Sequence, residues 1–167
     1  MTASRQASIV VKTPLRQKLD PDAGLRKALR TIVNTRLREV LSFEQAVLAD
    51  SGPDAIHDMR VAARRLRALL TVFRLMFPRK KLKKQKRSLS LLIKSLGRVR
   101  DCDIIINRLH SHRKLLPPGE RIAVEVLLER QMDLRAQQFL VLKNELERLQ
   151  SDGYQKAMRQ FLTDSFS

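Results

Sequence analysis

Hydrophobic residues recur every three or four positions along most of this chain, which is the spacing of an amphipathic α-helix. Strand-like alternation is rare, and clusters of proline, glycine and serine separate the periodic stretches. The pattern predicts an all-α fold whose short connections place antiparallel helices side by side, as in a four-helix bundle. It predicts helices over about residues 24–49, 56–78, 81–109 and 120–150, followed by a short terminal helix over about 154–166.

The breaks between the periodic stretches divide the chain. Residues 1–20 are predicted to be a weakly structured N-terminal segment, and residues 21–167 to be one helical domain. Pro53 suits the first turn of the second helix, which Ser51 or Gly52 is expected to cap.

Each long helix has an apolar stripe that we expect to face the core. In the third helix the stripe consists of Leu82, Leu89, Leu92, Ile93 and Leu96. In the fourth helix it consists of Ile122, Val126, Leu127, Leu134, Phe139, Leu142 and Leu146.

One face of the predicted second helix is cationic. At about 100° per residue, four of its side chains fall within about 80° of each other, opposite an apolar face. Arginine is always charged and its planar N–H groups match phosphate oxygens, so arginines at one-turn spacing suit a repeating polyanion better than a small neutral substrate. We call these four residues the arginine ladder: His57, Arg60, Arg64 and Arg67.

The charge of the whole chain is concentrated in the same region. The sequence has 34 Lys and Arg against 17 Asp and Glu, a formal net charge of +17. Residues 57–100 hold 15 of the basic residues and one acid, Asp58, whereas the rest of the chain has 19 basic and 16 acidic residues. A charge that served only solubility would be spread out, so this segment predicts a binding site for a polyanion.

The predicted third helix adds a second cationic face. If the second and third helices pack antiparallel through their apolar faces, their basic faces flank a groove. A charge run is most often a solvated face, but like charges one turn apart repel each other, and a bound polyanion would offset that repulsion. The cations that we expect here are Lys80, Lys84, Arg87, Lys94 and Arg98.

The residue types in this segment bear on the kind of polyanion. Residues 57–100 contain no tyrosine or tryptophan, rings on which proteins stack unpaired bases. The segment is therefore suited to contact phosphate rather than to read a base. Two ligands stay open: a phosphate chain, and the backbone of a nucleic acid bound without sequence preference.

Three further features have an ordinary structural explanation beside a functional one. His57 is either a capping or core histidine, or a ligand contact in phase with the ladder. Gly97 permits the close approach of another helix. Arg100 and Asp103 turn toward the apolar face three residues apart, where we expect a buried ion pair that fixes the helix register.

Motifs for catalysis or for a cofactor are not evident. The chain has no nucleophile–base pair, no paired catalytic carboxylates and no Gly-rich phosphate loop. His110 and His112 have no acidic or thiol partner at metal-ligand spacing, so we expect no metal site. We therefore expect a binding module without a cofactor, and not an enzyme.

The chain is expected to be soluble and cytoplasmic. Its single cysteine, Cys102, fits a reducing compartment. The apolar run near the N-terminus is too short for a signal peptide, and no segment approaches the roughly 18 apolar residues that cross a membrane.

Two blocks of this sequence together resemble the CHAD family, the conserved histidine α-helical domains. The first is H-x-x-R-V-x-x-R-R-x-R from His57 to Arg67, and the second is L-G-x-x-R-D-x-D from Leu96 to Asp103. The resemblance implies an all-helical fold of two similar four-helix halves that binds inorganic polyphosphate through basic residues facing a central channel. By motif match, it assigns binding to His57, Arg60, Arg64, Arg65 and Arg67, and it places Arg100, Asp101 and Asp103 in the second block.

This chain carries only one H-x-x-R-V block and about half of the helices that the resemblance implies. We therefore expect it to be one half of a CHAD domain, with two copies associating about a two-fold axis to rebuild the channel. The expected function is polyphosphate binding in the cytoplasm, at polyphosphate granules. Nonspecific binding of nucleic acid through its phosphate backbone is the alternative.

Overall fold

The computed structural model describes residues 24–166, and helices account for nearly all of them. The all-α prediction is confirmed, because no strand occurs within this range. The predicted N-terminal segment, residues 1–20, lies outside the described residues. The elements in chain order are α1 Leu25–Ser42, α2 Glu44–Leu48, α3 Pro53–Val72, a 3₁₀ turn Arg74–Met76, α4 Arg79–Arg113, α5 Pro118–Ser151 and α6 Tyr154–Phe166.

The first predicted helix is divided in two at Phe43. The N–H of Phe43 bonds to the carbonyl of Val40, three residues back, and the hydroxyl of Ser42 donates to the carbonyl of Glu39. These bonds tighten the last turn of α1. Val47 of α2 is buried in the core.

The helix that carries the arginine ladder ends at Val72 rather than at Pro78. Phe73 leaves the helical conformation, and Phe77 is extended because a residue that precedes proline is disfavoured in a helix. The extended backbone turns the ring of Phe77 into the core, where it stacks on Phe161 of α6 with the ring centroids 5.0 Å apart.

One hydrophobic core joins all six α-helices. The stripe predicted for the third helix is confirmed in α4, where four of its five residues are buried and Ile93 is half-buried. Removing one large core side chain costs about 2–5 kcal/mol, because the surrounding structure leaves a cavity. The largest fully buried side chains include Leu29, Leu37, Met59, Leu66, Leu89, Leu96, Leu142, Leu146, Met158 and Leu162.

α4 and α5 form a long antiparallel hairpin. Near its tip, Nε of Arg113 donates to Glu125 at 3.0 Å. Ten residues earlier on α4 and ten later on α5, Nε of Arg135 donates to Asp103 at 2.6 Å, which is the register of antiparallel helices. At 35 and 34 residues, each helix is about 50 Å long. Neither these nor the other described helices are long and apolar enough to cross a membrane.

The stripe predicted for the fourth helix is correct only in the C-terminal half of α5. In the N-terminal half, Val124 and Leu128 are buried instead. Apolar residues occur around the whole circumference of this half, so periodicity alone could not choose the buried face. The four predicted core residues that are between 41% and 66% exposed are Ile122, Val126, Leu127 and Leu134.

Candidate functional site

The arginine ladder lies along the line where α3 packs against α4. Nη1 of Arg67 donates to Oγ of Ser90 at 3.2 Å. Seven residues earlier on α3, Arg60 lies over Gly97, seven residues later on α4. Because a contact seven residues earlier on α3 meets a residue seven positions later on α4, the two helices are antiparallel, as the sequence predicts. The ladder therefore borders α4 over two full turns.

Gly97 lies beneath Arg60. A Cβ atom at Gly97 would lie 3.6 Å from Nε of Arg60, which is an ordinary van der Waals contact, so the Arg60 side chain packs over this position without requiring a glycine there. The close helix approach that the sequence suggests for Gly97 stays a prediction. Nε of Arg60 is buried and has no hydrogen-bond partner in the described structure. A buried donor in that state costs about 1–3 kcal/mol, which makes an added acceptor favourable here.

Ser90 fixes Arg67 from the α4 side. Its hydroxyl donates to the carbonyl of Lys86 at 2.7 Å and accepts the bond from Arg67. Arg87 and Lys94 flank Ser90, one turn before it and one turn after it, and both are exposed. We call the cations of this line the cationic seam: Arg60, Arg64 and Arg67 of α3, with Arg87 and Lys94 of α4.

The predicted cations of α4 do not all face α3. At about 100° per residue, Arg87 and Lys94 point within about 60° of the direction of Ser90. Lys80 and Arg98 point about 80° away from it and Lys84 about 120° away, on the side of α4 that leads toward α5. All five are exposed, but three of them lie beside the seam rather than in it.

His57 lies at the outer edge of the ladder. Its side chain is exposed, so it is not a core histidine. Gly52 is the N-cap of α3, and its φ of 115° is a conformation that favours glycine. His57 therefore does not cap the helix either, and the structure leaves it on the surface beside Arg64, which is also exposed.

Arg65 lies on another side of α3 from the seam. Its Nη1 is 3.5 Å from Oε1 of Glu39 in α1, and Arg36 holds the other oxygen of Glu39 at 2.7 Å. With more than half of the Arg65 side chain exposed, this ion pair contributes at most about 1 kcal/mol. Arg65 thus differs from its neighbour Arg64 in having a carboxylate partner.

Asp103 forms its ion pair with Arg135 of α5, and not with Arg100 as the sequence suggested. The guanidinium of Arg135 also donates two bonds to Asp50, at 2.7 and 2.9 Å. The hydrogen bonds to Asp50, followed by those to Asp103, raise the pKa of Arg135. This network joins the α2–α3 connection to both helices of the hairpin. Within it Asp103 is buried, whereas Arg100 is half-buried and Asp101 is exposed.

Sequence reasoning missed Arg135, although a signal for it exists. Arg135 falls within about 20° of Val124 and Leu142 on α5, which are buried residues of that helix. A charged residue in phase with a buried stripe requires a buried partner of opposite charge. Asp103, in phase with the core residues of α4, is that partner.

A model of the CHAD domain family matches residues 31–167 of this chain. The chain belongs to the CHAD family. The matched range includes the whole arginine ladder and the block from Leu96 to Asp103, so the seam lies inside the CHAD domain. A search of curated proteins found no match to the chain.

The CHAD domain offers no evident metal site in residues 24–166. His110 and His112 are both exposed on the last turn of α4. No group of three or more His, Cys, Asp or Glu side chains in this range is arranged to hold an ion. The cations of the seam are thus the charged groups available to a ligand on this face.

Proposed function

We propose that this CHAD domain binds inorganic polyphosphate at the cationic seam and does not alter it chemically. The observation that carries the proposal is the charge of the seam. Its five cations share one face, and none of them forms an ion pair within the described residues. Three arginines outside the seam do pair with a carboxylate of another part of the chain: Arg65, Arg113 and Arg135.

The energetics favour an anion as the missing partner. Like charges one turn apart destabilise a helix by a few tenths of a kcal/mol per pair. A hydrogen bond to a charged group contributes about 1.5–3 kcal/mol, so a row of phosphates more than offsets the repulsion.

The placement of the aromatic residues supports a phosphate chain over a nucleic acid that is read through its bases. Phe73 and Phe77 are the aromatic residues of the segment 57–100. Phe77 is buried and Phe73 packs against the core, so neither offers an exposed ring to stack on a base. Polyphosphate presents only phosphate, which matches a surface of guanidinium and ammonium groups.

Direct competition tests this assignment. Labelled long-chain polyphosphate is bound to the protein, and duplex DNA is added at equal phosphate concentration, with the reciprocal experiment alongside. We expect polyphosphate to displace DNA and DNA to leave polyphosphate bound. Preferential binding of DNA would replace the proposal with nonspecific binding of nucleic acid, which uses the same cations. Equal displacement in both directions would show that the seam has no preference.

A second assay tests whether the protein leaves polyphosphate chemically unchanged. The protein is incubated with long-chain polyphosphate, and free phosphate and chain length are followed over time. We expect both to stay unchanged while the polymer is bound, as befits a module that holds polyphosphate or localises to polyphosphate granules. If the protein released phosphate, and if this release stopped when the ladder arginines were replaced, this part of the proposal would be contradicted.

A further inference from the structure

α5 carries an apolar stripe that no other described element covers. Leu127, Leu134 and Val141 recur at intervals of seven residues, and they are 52%, 41% and 45% exposed. A repeat of seven keeps one face of a helix aligned with a neighbouring helix, with a drift of only about 20° per repeat. Intervals of this kind occur where two helices pack along their length.

Leu127 and Leu134 of this stripe form one wall of a groove of about 650 Å³ between α4 and α5. Ile105 and Leu109 of α4 form the opposite wall. The rim carries both signs of charge, since Arg130 and Asp133 line the same groove. Both side chains are exposed, and neither forms an ion pair in the part of the chain that the structure describes.

The electrostatics of the chain limit which surfaces of two copies can meet. Each copy has a formal net charge of +17, concentrated on α3 and the first half of α4. α5, in contrast, has six acidic and five basic residues and is nearly neutral. It is therefore a face on which two copies approach each other without strong repulsion.

We propose that this groove binds a second copy of the chain in a two-fold symmetric dimer. A two-fold interface places the same patch of both copies in contact, so the patch must be complementary to itself. The groove meets this requirement, because Arg130 of each copy can pair with Asp133 of the other while the leucine stripes bury each other. This proposal does not depend on what the cationic seam binds.

The groove lies further along α4 than the cations beside the seam. Ile105 and Leu109 point about 60° and 100° from the direction of Ser90, in the same sector of α4 as Arg98 and Lys84. At about 1.5 Å per residue, however, Ile105 lies about 10 Å beyond Arg98 and about 30 Å beyond Lys84. A second copy in the groove would therefore meet α4 beyond most of its cations.

Sedimentation equilibrium without polyphosphate, in salt that screens the cationic segments, tests the dimer. We expect the natural chain to be dimeric, and a monomer at every concentration would overturn the proposal.

Leu127→Gln/Leu134→Gln should raise the dimer dissociation constant about a hundredfold or more, with unchanged helicity. Leu140→Gln is the matched control, since Leu140 is 59% exposed on another face of α5. Equal disruption by this control would remove the groove as the interface.

Charge exchange tests the polar contact. Arg130→Glu and Asp133→Arg should each raise the dissociation constant about tenfold, because like charges then face each other across the interface. The double variant Arg130→Glu/Asp133→Arg should restore the natural affinity. Failure of the double variant to restore it would contradict the reciprocal pairing.

Discussion

The seam between α3 and α4 and the groove between α4 and α5 lie at different positions along the same helix, and their chemistry is opposite. The seam exposes cations, and its segment has 15 basic residues against one acid. The groove exposes leucine, isoleucine and valine on a nearly neutral hairpin. Both surfaces leave side chains without a partner within the described residues, but a different partner satisfies each of them.

This difference shows how one long helix can serve two purposes. The seam cations Arg87 and Lys94 lie in the first half of α4 and the groove residues Ile105 and Leu109 in its second half, so the two surfaces are separated along the helix. A polyanion cannot be held by the groove, and a second copy with a charge of +17 cannot settle on the seam. We therefore expect substitutions on the two surfaces to have separable effects.

The largest expected effect concerns the ladder. Arg60→Gln/Arg64→Gln/Arg67→Gln should weaken polyphosphate binding by about three orders of magnitude, since each arginine supplies charge-assisted bonds. Fluorescence anisotropy with labelled polyphosphate measures it, and circular dichroism checks the helicity. The matched control Lys143→Gln/Lys156→Gln/Arg159→Gln removes the same charge from exposed positions outside the seam. Equal losses in both variants would mean that net charge, and not the seam, determines affinity.

The next effect concerns the hairpin. Arg135→Met leaves Asp103 buried without its partner, which should lower the free energy of unfolding by about 3–5 kcal/mol. Urea denaturation followed by circular dichroism measures the change. Asp103→Leu/Arg135→Met should recover most of the lost stability, because it removes the buried charge as well. If the double variant were no more stable than Arg135→Met, the ion pair would not be the cause.

A smaller effect separates the cations in the seam from those beside it. Arg87→Gln/Lys94→Gln should weaken polyphosphate binding about tenfold, whereas Lys80→Gln/Lys84→Gln should weaken it less than about threefold. Both variants lose two charges from exposed positions on α4, and the seam contains only the first pair. Isothermal titration at fixed salt measures the two affinities, and the opposite order would contradict the assigned register.

The smallest effect compares two neighbours in sequence. Arg65→Gln should change polyphosphate affinity less than about twofold and stability by at most about 1 kcal/mol, since Arg65 faces Glu39 at the surface. Arg64→Gln, one residue away, should weaken binding about tenfold. Anisotropy titrations of the two single variants make this comparison, and an equal loss would place Arg65 in the binding surface.

The sequence predicted correctly those regions where the hydrophobic pattern of a helix agrees with the contacts that the helix makes. Helical periodicity located every long helix, and the phase of His57, Arg60, Arg64 and Arg67 identified an exposed cationic face. Both properties follow from the geometry of one helix, which needs no knowledge of its neighbours.

The errors arise where a distant contact overrides the local pattern. The helix of the arginine ladder ends at Val72, before the predicted Pro78, and the extended Phe77 that follows packs its ring on Phe161, which lies far away in the chain. Asp103 pairs with Arg135 rather than with the nearer Arg100, because the two helices of the hairpin place those groups together. Around α5 the apolar residues fit several faces, so only the packing against α4 reveals that Leu127 and Leu134 stay exposed.

The most direct test of the polyphosphate surface is an NMR titration of the 19.3 kDa chain with long-chain polyphosphate in the presence of duplex DNA at equal phosphate concentration. Amide signals and arginine Nε–Hε signals report where the polymer binds. We predict shifts at Arg60, Arg64, Arg67 and the facing turns of α4, with the signals of α5 unchanged. Shifts spread evenly over all exposed cations, or shifts that follow the DNA instead, would contradict the account.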